Sequence, residues 1–387
     1  MRILLCNDTG TKSHIGCLGV SDAHARLLGR AGHRVEYRCF VNDLAHYARK
    51  KTPAETTALL TRDEELMARI EAVDAVIVNG EGTIHHNGGH EYISLLKLAK
   101  QKGKAALLVN SLFQDLNTEI DPDVMNSLDA FFVRDPRSLA YAKSLGIRCS
   151  YAPDSVVEAQ FGNRPGVDYA GGLLVTDWVG SREEDVGVAL LRLLSSGPTN
   201  SPHRFFPLHS SEMRATWRSA VESLKTARLL VTGRYHAMYL AVLAGTPFVA
   251  MASNSWKIQG FLESVGLNQP ILSNYAELSG NLEALAASRS SLAEARDRLL
   301  GARPLKIFEV LGKGSEATSE DEEISRLEAQ VLARPDRLHQ DKCSIAQTRV
   351  READMMLQLI TGEEQTPPSR TKKTLAALKS LFEASGR

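Results

Sequence analysis

The chain has 387 residues, too many for one ordinary hydrophobic core and enough for two domains with an appendage. Apolar residues make up 43% and charged residues 24%, the balance of a folded globular protein. Lysine plus arginine and aspartate plus glutamate each total 46, so no global field draws in nucleic acid or an anionic membrane. An anionic ligand must therefore be met by local groups.

The opening run Arg2-Ile3-Leu4-Leu5-Cys6 is too short and too early for a signal peptide, and a cytoplasmic location is expected. Five scattered cysteines (Cys6, Cys17, Cys39, Cys149, Cys343) form no Cys-x-x-Cys pair and indicate neither a disulfide framework nor a zinc ribbon. Short apolar runs then alternate with amphipathic segments, the pattern of a parallel sheet covered by helices. Predicted strands are Ile3–Cys6, Val35–Phe40, Ala75–Asn79, Ala105–Asn110, Ala130–Val133 and Cys149–Ala152. Predicted helices are Val20–Arg30, Ala54–Glu71, Glu91–Gln101 and Pro136–Leu145, the last started by a proline and stopped by Gly146.

A loop rich in Gly, Asn and Pro (Phe161–Tyr169) separates a second series. Its strands are predicted at Gly172–Thr176, Phe205–Leu208, Leu229–Thr232 and Phe248–Met251, its helices at Glu183–Leu194, Ser211–Lys225, Ala237–Leu243 and Lys257–Val265. The long apolar stretch Leu229–Ala252 contains Arg234, His236, Gly245 and Pro247, which argue against a membrane span. The expected fold is α/β: two Rossmann-like domains, 1–160 and 170–305, facing across a cleft at the carboxyl ends of their strands.

Residues 306–387 change character. Gly312-Lys313-Gly314-Ser315 and the acidic run Glu320–Glu323 read as a linker, followed by a helical tail. In the last helix Leu375, Leu378, Leu381 and Phe382 share a face beside Lys372, Lys373 and Lys379. Such a helix either docks on its own protein or touches a partner or the inner face of the membrane.

The segment Thr232-Gly233-Arg234-Tyr235-His236-Ala237 ends a strand and opens a helix. Unpaired amides and the helix dipole favour an anion there, Arg234 adds a fork for two oxygens, and His236 can exchange a proton near neutral pH. Downstream, Asn254 and Lys257 flank the next strand-to-helix loop. A lysine at a helix start opposes the dipole unless an anion lies between them.

In the first half, Asn79-Gly80-Glu81-Gly82-Thr83 follows an apolar strand, and its glycines let backbone approach a ligand. Glu81 is placed to act as a base toward a hydroxyl. His85, His86 and His90 follow, but their spacing fits no standard metal set, and no metal is expected. The first loop, from Asn7 to Gly16 and Cys17, is neither a Walker A nor a dinucleotide fingerprint. Phe132-Val133-Arg134-Asp135 and Ala152-Pro153-Asp154-Ser155 end strands with charges. Capping is the default for Asp135 and Ser155, and Arg134 is the group able to reach a ligand anion.

Taken in order, the Asn7-Asp8-Thr9 loop with Gly16, the Asn79–Thr83 loop, Arg134-Asp135, Ala152-Pro153-Asp154, Gly233–Ala237, Ala244-Gly245-Thr246-Pro247 and Lys257 resemble the polysaccharide pyruvyl transferase family over residues 1–270. The resemblance implies a two-Rossmann GT-B-like architecture. It also implies transfer of a pyruvyl group from phosphoenolpyruvate to hydroxyls of a cell-surface or exopolysaccharide glycan as a ketal. The acceptor would be a glycan or lipid-linked saccharide, with phosphoenolpyruvate as co-substrate and no cofactor. The family's Arg-x-His element falls on Arg234, which would hold donor phosphate or carboxylate, and on His236, which would be the acid. Glu81 would be the third catalytic group. Lys257, Arg134, Asn79, Gly80, Gly82, Thr83, Asn7, Gly16 and Asn254 would line the substrate site. The Asn-Asp-Thr start and the Glu-Gly-Thr-Ile-His-His segment depart from the commonest family loops. Two alternatives therefore stand beside this reading: a GT-B glycosyltransferase using a nucleotide-activated, for instance CMP-linked, sugar, and a non-catalytic glycan-binding assembly protein.

Overall fold

The computed structural model describes residues 1–48, 52–116, 120–162, 165–176, 204–206, 208, 216–273, 282–314 and 318–334. Six strands, β1 (Arg2–Asp8), β2 (Arg34–Phe40), β3 (Ala75–Asn79), β4 (Ala105–Ser111), β5 (Ala130–Val133) and β6 (Ser150–Tyr151), form a parallel sheet in the order β2-β1-β3-β4-β5-β6. Five more, β7 (Leu173–Val175), β8 (Arg204–Phe205), β9 (Leu229–Thr232), β10 (Phe248–Met251) and β11 (Ile271–Leu272), form a second parallel sheet in the order β11-β10-β9-β7-β8. Each sheet reverses its winding direction beside its first strand. That leaves a crevice at the carboxyl ends of β1 and β3 and another at those of β7 and β9, where ligands of doubly wound sheets bind.

The central strands are apolar on both faces because helices cover both sides. Every residue of β3, β9 and β10 is buried. The helix Tyr235–Ala244 is buried at every residue from Tyr235 to Val242 and is apolar all round, which accounts for the long hydrophobic stretch: strand, buried helix, strand. Among the described residues no helix is long and apolar enough to cross a membrane. One continuous core runs through both halves, joining Ile3, Leu5 and Val156 to Trp217, Leu230, Tyr239 and Phe261.

Most boundaries lie within one or two residues of the sequence expectation, and the larger differences have local reasons at three helices. The first helix begins at Ile15 rather than Val20, because His14 caps it by accepting from the Gly16 amide. The run expected as one helix over 54–71 is two, Pro53–Arg62 and Glu64–Ala72. Asp63 leaves helical geometry between them, and its side chain accepts from the Leu66 amide as an N-cap. The helix expected from Ser211 starts at Trp217 behind a Thr216–Ser219 capping box, and the strand expected over Phe205–Leu208 is Arg204–Phe205.

The acidic run Glu320–Glu323 is not a linker. It is the first turn of the helix Glu320–Leu332, where negative charge suits the dipole and Ser319 closes a capping box with Glu322. This helix returns to the first half and covers β2, the edge of the six-stranded sheet. Glu323, fully buried, accepts from the Val35 amide at 3.2 Å, and Gln330 donates to the Glu36 carbonyl at 3.2 Å. Leu305, Ile307, Phe308 and Leu311 enter the shared core, and with the helix Glu320–Leu332 they make these parts of the expected appendage belong to the folded body. The helix expected at Glu183–Leu194 and the basic helix around Leu375–Phe382 lie outside the described residues.

Candidate active site

The ends of β1 and β3 build the floor. Asn7 takes a left-handed backbone conformation (φ 57°) and donates its side-chain amide to the Asn79 carbonyl (2.6 Å) and to Thr83 Oγ1 (2.8 Å). Its own carbonyl oxygen accepts from the Tyr92 hydroxyl at 3.0 Å. Asn79 accepts from Asn110 and from the Glu81 amide. Both asparagines are 0% exposed. They were expected to meet substrate; instead they pair with each other and hold the loop from which Glu81 projects. Gly80 sits where a Cβ would press on Ser111 at 2.7 Å, and Gly82 (φ +51°) sits near Arg134.

Glu81 lies at the bottom of the crevice. Its Oε2 accepts from Thr9 Oγ1 at 3.1 Å, and its Oε1 faces Cys17 Sγ at 3.5 Å. From the other half comes His236, on the first turn of the helix Tyr235–Ala244. Its Nε2 lies 3.7 Å from Glu81 Oε1 and 3.7 Å from Asp154 Oδ2, and has no hydrogen-bond partner among the described residues. The ring can approach because residue 16 has no side chain: a Cβ on Gly16 would stand 2.2 Å from His236 Nδ1. Gly16 is thus tied directly to His236, across the boundary between the two halves.

Asp154 is the functional residue that sequence reasoning left open between cleft and cap. It does both. Its Oδ1 accepts from the Val156 amide at 2.9 Å, while Oδ2 accepts from Arg134 Nη1 at 2.7 Å and faces His236. Burial opposes its ionisation, but His236 and the Arg134 charge outweigh that and hold the carboxyl at about 2. Ser155, the expected cap, pairs with His24 Nε2 at 2.9 Å instead. Asp135 caps as expected, accepting from the Ser138 amide.

Arg134 is not at a cleft edge. It is 2% exposed, its guanidinium carbon stands 4.2 Å over the Tyr235 ring, and its Nε has no hydrogen-bond partner among the described residues. A buried arginine of this kind orients Asp154 and sets the local charge.

Lys257 opens the helix Lys257–Val265, half-buried, with Nζ donating to Asn254 Oδ1 at 3.0 Å. Burial and the charges of Arg134 and Arg234 push its ammonium down to about 7. Arg234 takes the N-cap position of the helix Tyr235–Ala244, where its backbone amide donates to Thr232 Oγ1. At the second crevice Thr232 in turn meets Thr176, Oγ1 to Oγ1, at 2.7 Å. Burial, with the nearby charges of His86, Lys257 and Arg134, likewise pushes His85 down to about 4. Lys257 thus feels the charges of both Arg134 and Arg234, which add to the effect of its burial. The relief it needs is a bound anion.

The loops from the two halves also touch. His86 Nε2 lies 2.9 Å from the Asn254 carbonyl, the Trp256 amide donates to Gln114 Oε1 at 3.0 Å, and Arg137 pairs with Glu263 at 2.6 Å. Of the three histidines noted in the sequence, His86 makes this contact, and His90 opens the helix His90–Gln101. The cluster of possible metal ligands among the described residues lies elsewhere, at His14, Cys17 and His236. A His-x-x-Cys spacing at the first helix was its sequence signal.

Two doubly wound sheets thus bring the His236 imidazole and the Glu81 and Asp154 carboxylates together, an arrangement of the kind group-transfer enzymes use. The family model described as polysaccharide pyruvyl transferase matches residues 20–255, and the chain belongs to that family. It is therefore a transferase of polysaccharide modification. No curated protein matches the sequence. Among solved structures, a glycosyltransferase from Arabidopsis thaliana complexed with UDP-L-rhamnose is 9% identical, with coverage of 85% of this chain and 98% of its own and a TM-score of 0.47. The glycosyltransferase SnogD from Streptomyces nogalater is 15% identical (86% and 99%, TM-score 0.40). The UDP-GlcNAc 2-epimerase from Neisseria meningitidis, bound to UDP-GlcNAc, is 10% identical (86% and 100%, TM-score 0.40). Likeness at this level adds nothing to the strand order given above.

Proposed function

We propose that the protein moves the pyruvyl unit of phosphoenolpyruvate onto two hydroxyls of a glycan or lipid-linked saccharide, forming a ketal. The observation that supports this most is that His236 Nε2 faces two carboxylates, Glu81 and Asp154, while Lys257 lies within the field of Arg134 and Arg234. Arg234 and Lys257 would take the donor's phosphate and carboxylate, since a chain with no net charge must neutralise such an anion locally. Protonated His236, held toward Asp154, gives its proton to the methylene carbon of the donor. The ester carbon, now electron-poor, accepts a sugar hydroxyl whose proton passes to Glu81. Phosphate then leaves, taking up the proton held by Glu81, and a second hydroxyl of the same sugar closes the ketal while its proton returns to His236. No redox or nucleotide cofactor enters this sequence.

Incubation of the protein with phosphoenolpyruvate and candidate glycans, followed by phosphate release and by the mass of the glycan, tests the reading. His236→Gln should lower the rate by ~10² or more. Turnover only with a nucleotide-activated sugar would reject pyruvyl transfer. Biological function undiminished in His236→Gln would point instead to a glycan-binding protein.

A further inference from the structure

We propose that His14, Cys17 and His236, completed by Glu81, form a binding site for a soft divalent cation of the Zn²⁺ type. The three candidate ligand atoms lie within 4.8 Å of one another. The fourth ligand is already in place: the same Glu81 oxygen, Oε1, stands 3.5 Å from Cys17 Sγ and 3.7 Å from His236 Nε2. The His236 side chain is only 7% exposed, and its Nε2, which faces Glu81 Oε1, has no hydrogen-bond partner among the described residues. A buried ring nitrogen in that condition is an uncommon feature and indicates a ligand.

The first helix supplies two of the donors by its period. His14 caps it and Cys17 follows three positions later, so one turn presents both on one side. Gly16 stands between them, and the space over its missing side chain is filled by the His236 ring. Ligands from the start of the first half and from the second half thus meet at one point. Two imidazoles, a thiolate and a carboxylate are the donors that tetrahedral Zn²⁺ takes, and they suit neither Mg²⁺ nor Ca²⁺, which prefer oxygen alone. Binding displaces the Cys17 thiol proton, releasing one proton per ion to solvent.

The cation and a proton cannot share Nε2 of His236. A loaded protein is therefore held inactive for any reaction in which His236 is the acid. This consequence rests on the function proposed above; the site itself does not.

Full-length protein titrated with Co²⁺, a spectroscopic stand-in for Zn²⁺, decides the matter. One equivalent should produce a thiolate-to-cobalt charge-transfer band, absent in Cys17→Ser. His14→Gln should weaken binding by at least ~10-fold. Near-UV circular dichroism of both variants separates a lost ligand from a lost fold. No thiolate band in the parent protein, or a band that survives in folded Cys17→Ser, would overturn the site. In parallel, Zn²⁺ should suppress transfer and a chelator should restore it. Unreduced turnover of loaded protein would remove the acid role from His236, while the spectrum would still decide the site.

Discussion

Gly16 is a helical position at which alanine should be the better residue by up to ~1 kcal/mol on helix propensity alone. In this protein the added methyl would overlap three atoms of the His236 side chain, at 2.2, 2.3 and 2.4 Å. His236 Cβ is one of the three, so no rotamer change relieves the overlap; the two helices must shift apart, which moves the imidazole relative to Glu81 and Asp154. Displacement of a reacting group by ~1 Å costs about 10² in rate. Gly16→Ala should therefore lower stability by about 1–3 kcal/mol, the usual cost of overpacking, and lower kcat by about 10² in the protein that remains folded. A variant with parental kcat would show that the contact is of no consequence.

Lys257 yields a different kind of expectation. With its ammonium at about 7, it is half neutral near neutral pH until an anion arrives. Burial and the charges of Arg134 and Arg234 cause the depression, so a bound anion reverses it and the donor binds the protonated form. The KM for an anionic donor should rise as pH climbs above about 7, with kcat less affected. In Lys257→Met the KM should be high at all pH values and the pH dependence should flatten. A parental profile in that variant would take Lys257 out of the donor site.

Strands buried on both faces were the most legible elements. Ala75–Asn79, Leu229–Thr232 and Phe248–Met251 are found at the bounds expected from their apolar runs, because a strand buried throughout reads as a continuous apolar run. Helices in contact with solvent were less so. The periodic pattern over 54–71 passes through Asp63 without a break, although that side chain ends one helix and caps the next. Likewise the charges of Glu320–Glu323 look like solvated linker until Ser319 is seen to cap them and Glu323 is seen buried against β2.

In the candidate site, the strand-end residues singled out from the sequence include Glu81 and His236, which the structure brings to 3.7 Å of each other, and Lys257, which it places in the field of Arg234. The site was illegible where the role depends on a partner far along the chain. Nothing local to Asp154 announces that it joins Arg134 to His236, and nothing local to Asn7 says that its amide is committed to Asn79 and Thr83.

Beneath the crevice, two buried groups make the stability of the entire fold depend on pH in two stages. His24, paired with Ser155 and packed on Phe308, is pushed down to about 4 by burial, below the ordinary ~6.5. Between those values the unfolded chain binds a proton that the folded one refuses, so stability declines as pH falls from ~6.5 to ~4, by about 3 kcal/mol in all. Asp154 acts lower. Its carboxyl, held at about 2 against an unfolded value near 3.9, contributes stability that is complete above ~3.9 and lost as pH falls to 2. Both therefore favour the folded state at neutral pH, and their losses follow one another on acidification. His24→Gln keeps a group able to pair with Ser155 but no longer titrates. Urea unfolding of that variant should show a smaller fall in stability from pH 7 to pH 4 than the parent, the remainder including the share of His85, with the fall below pH 4 retained. Equal slopes for parent and variant across pH 7 to 4 would mean that the buried imidazole does not set the upper stage.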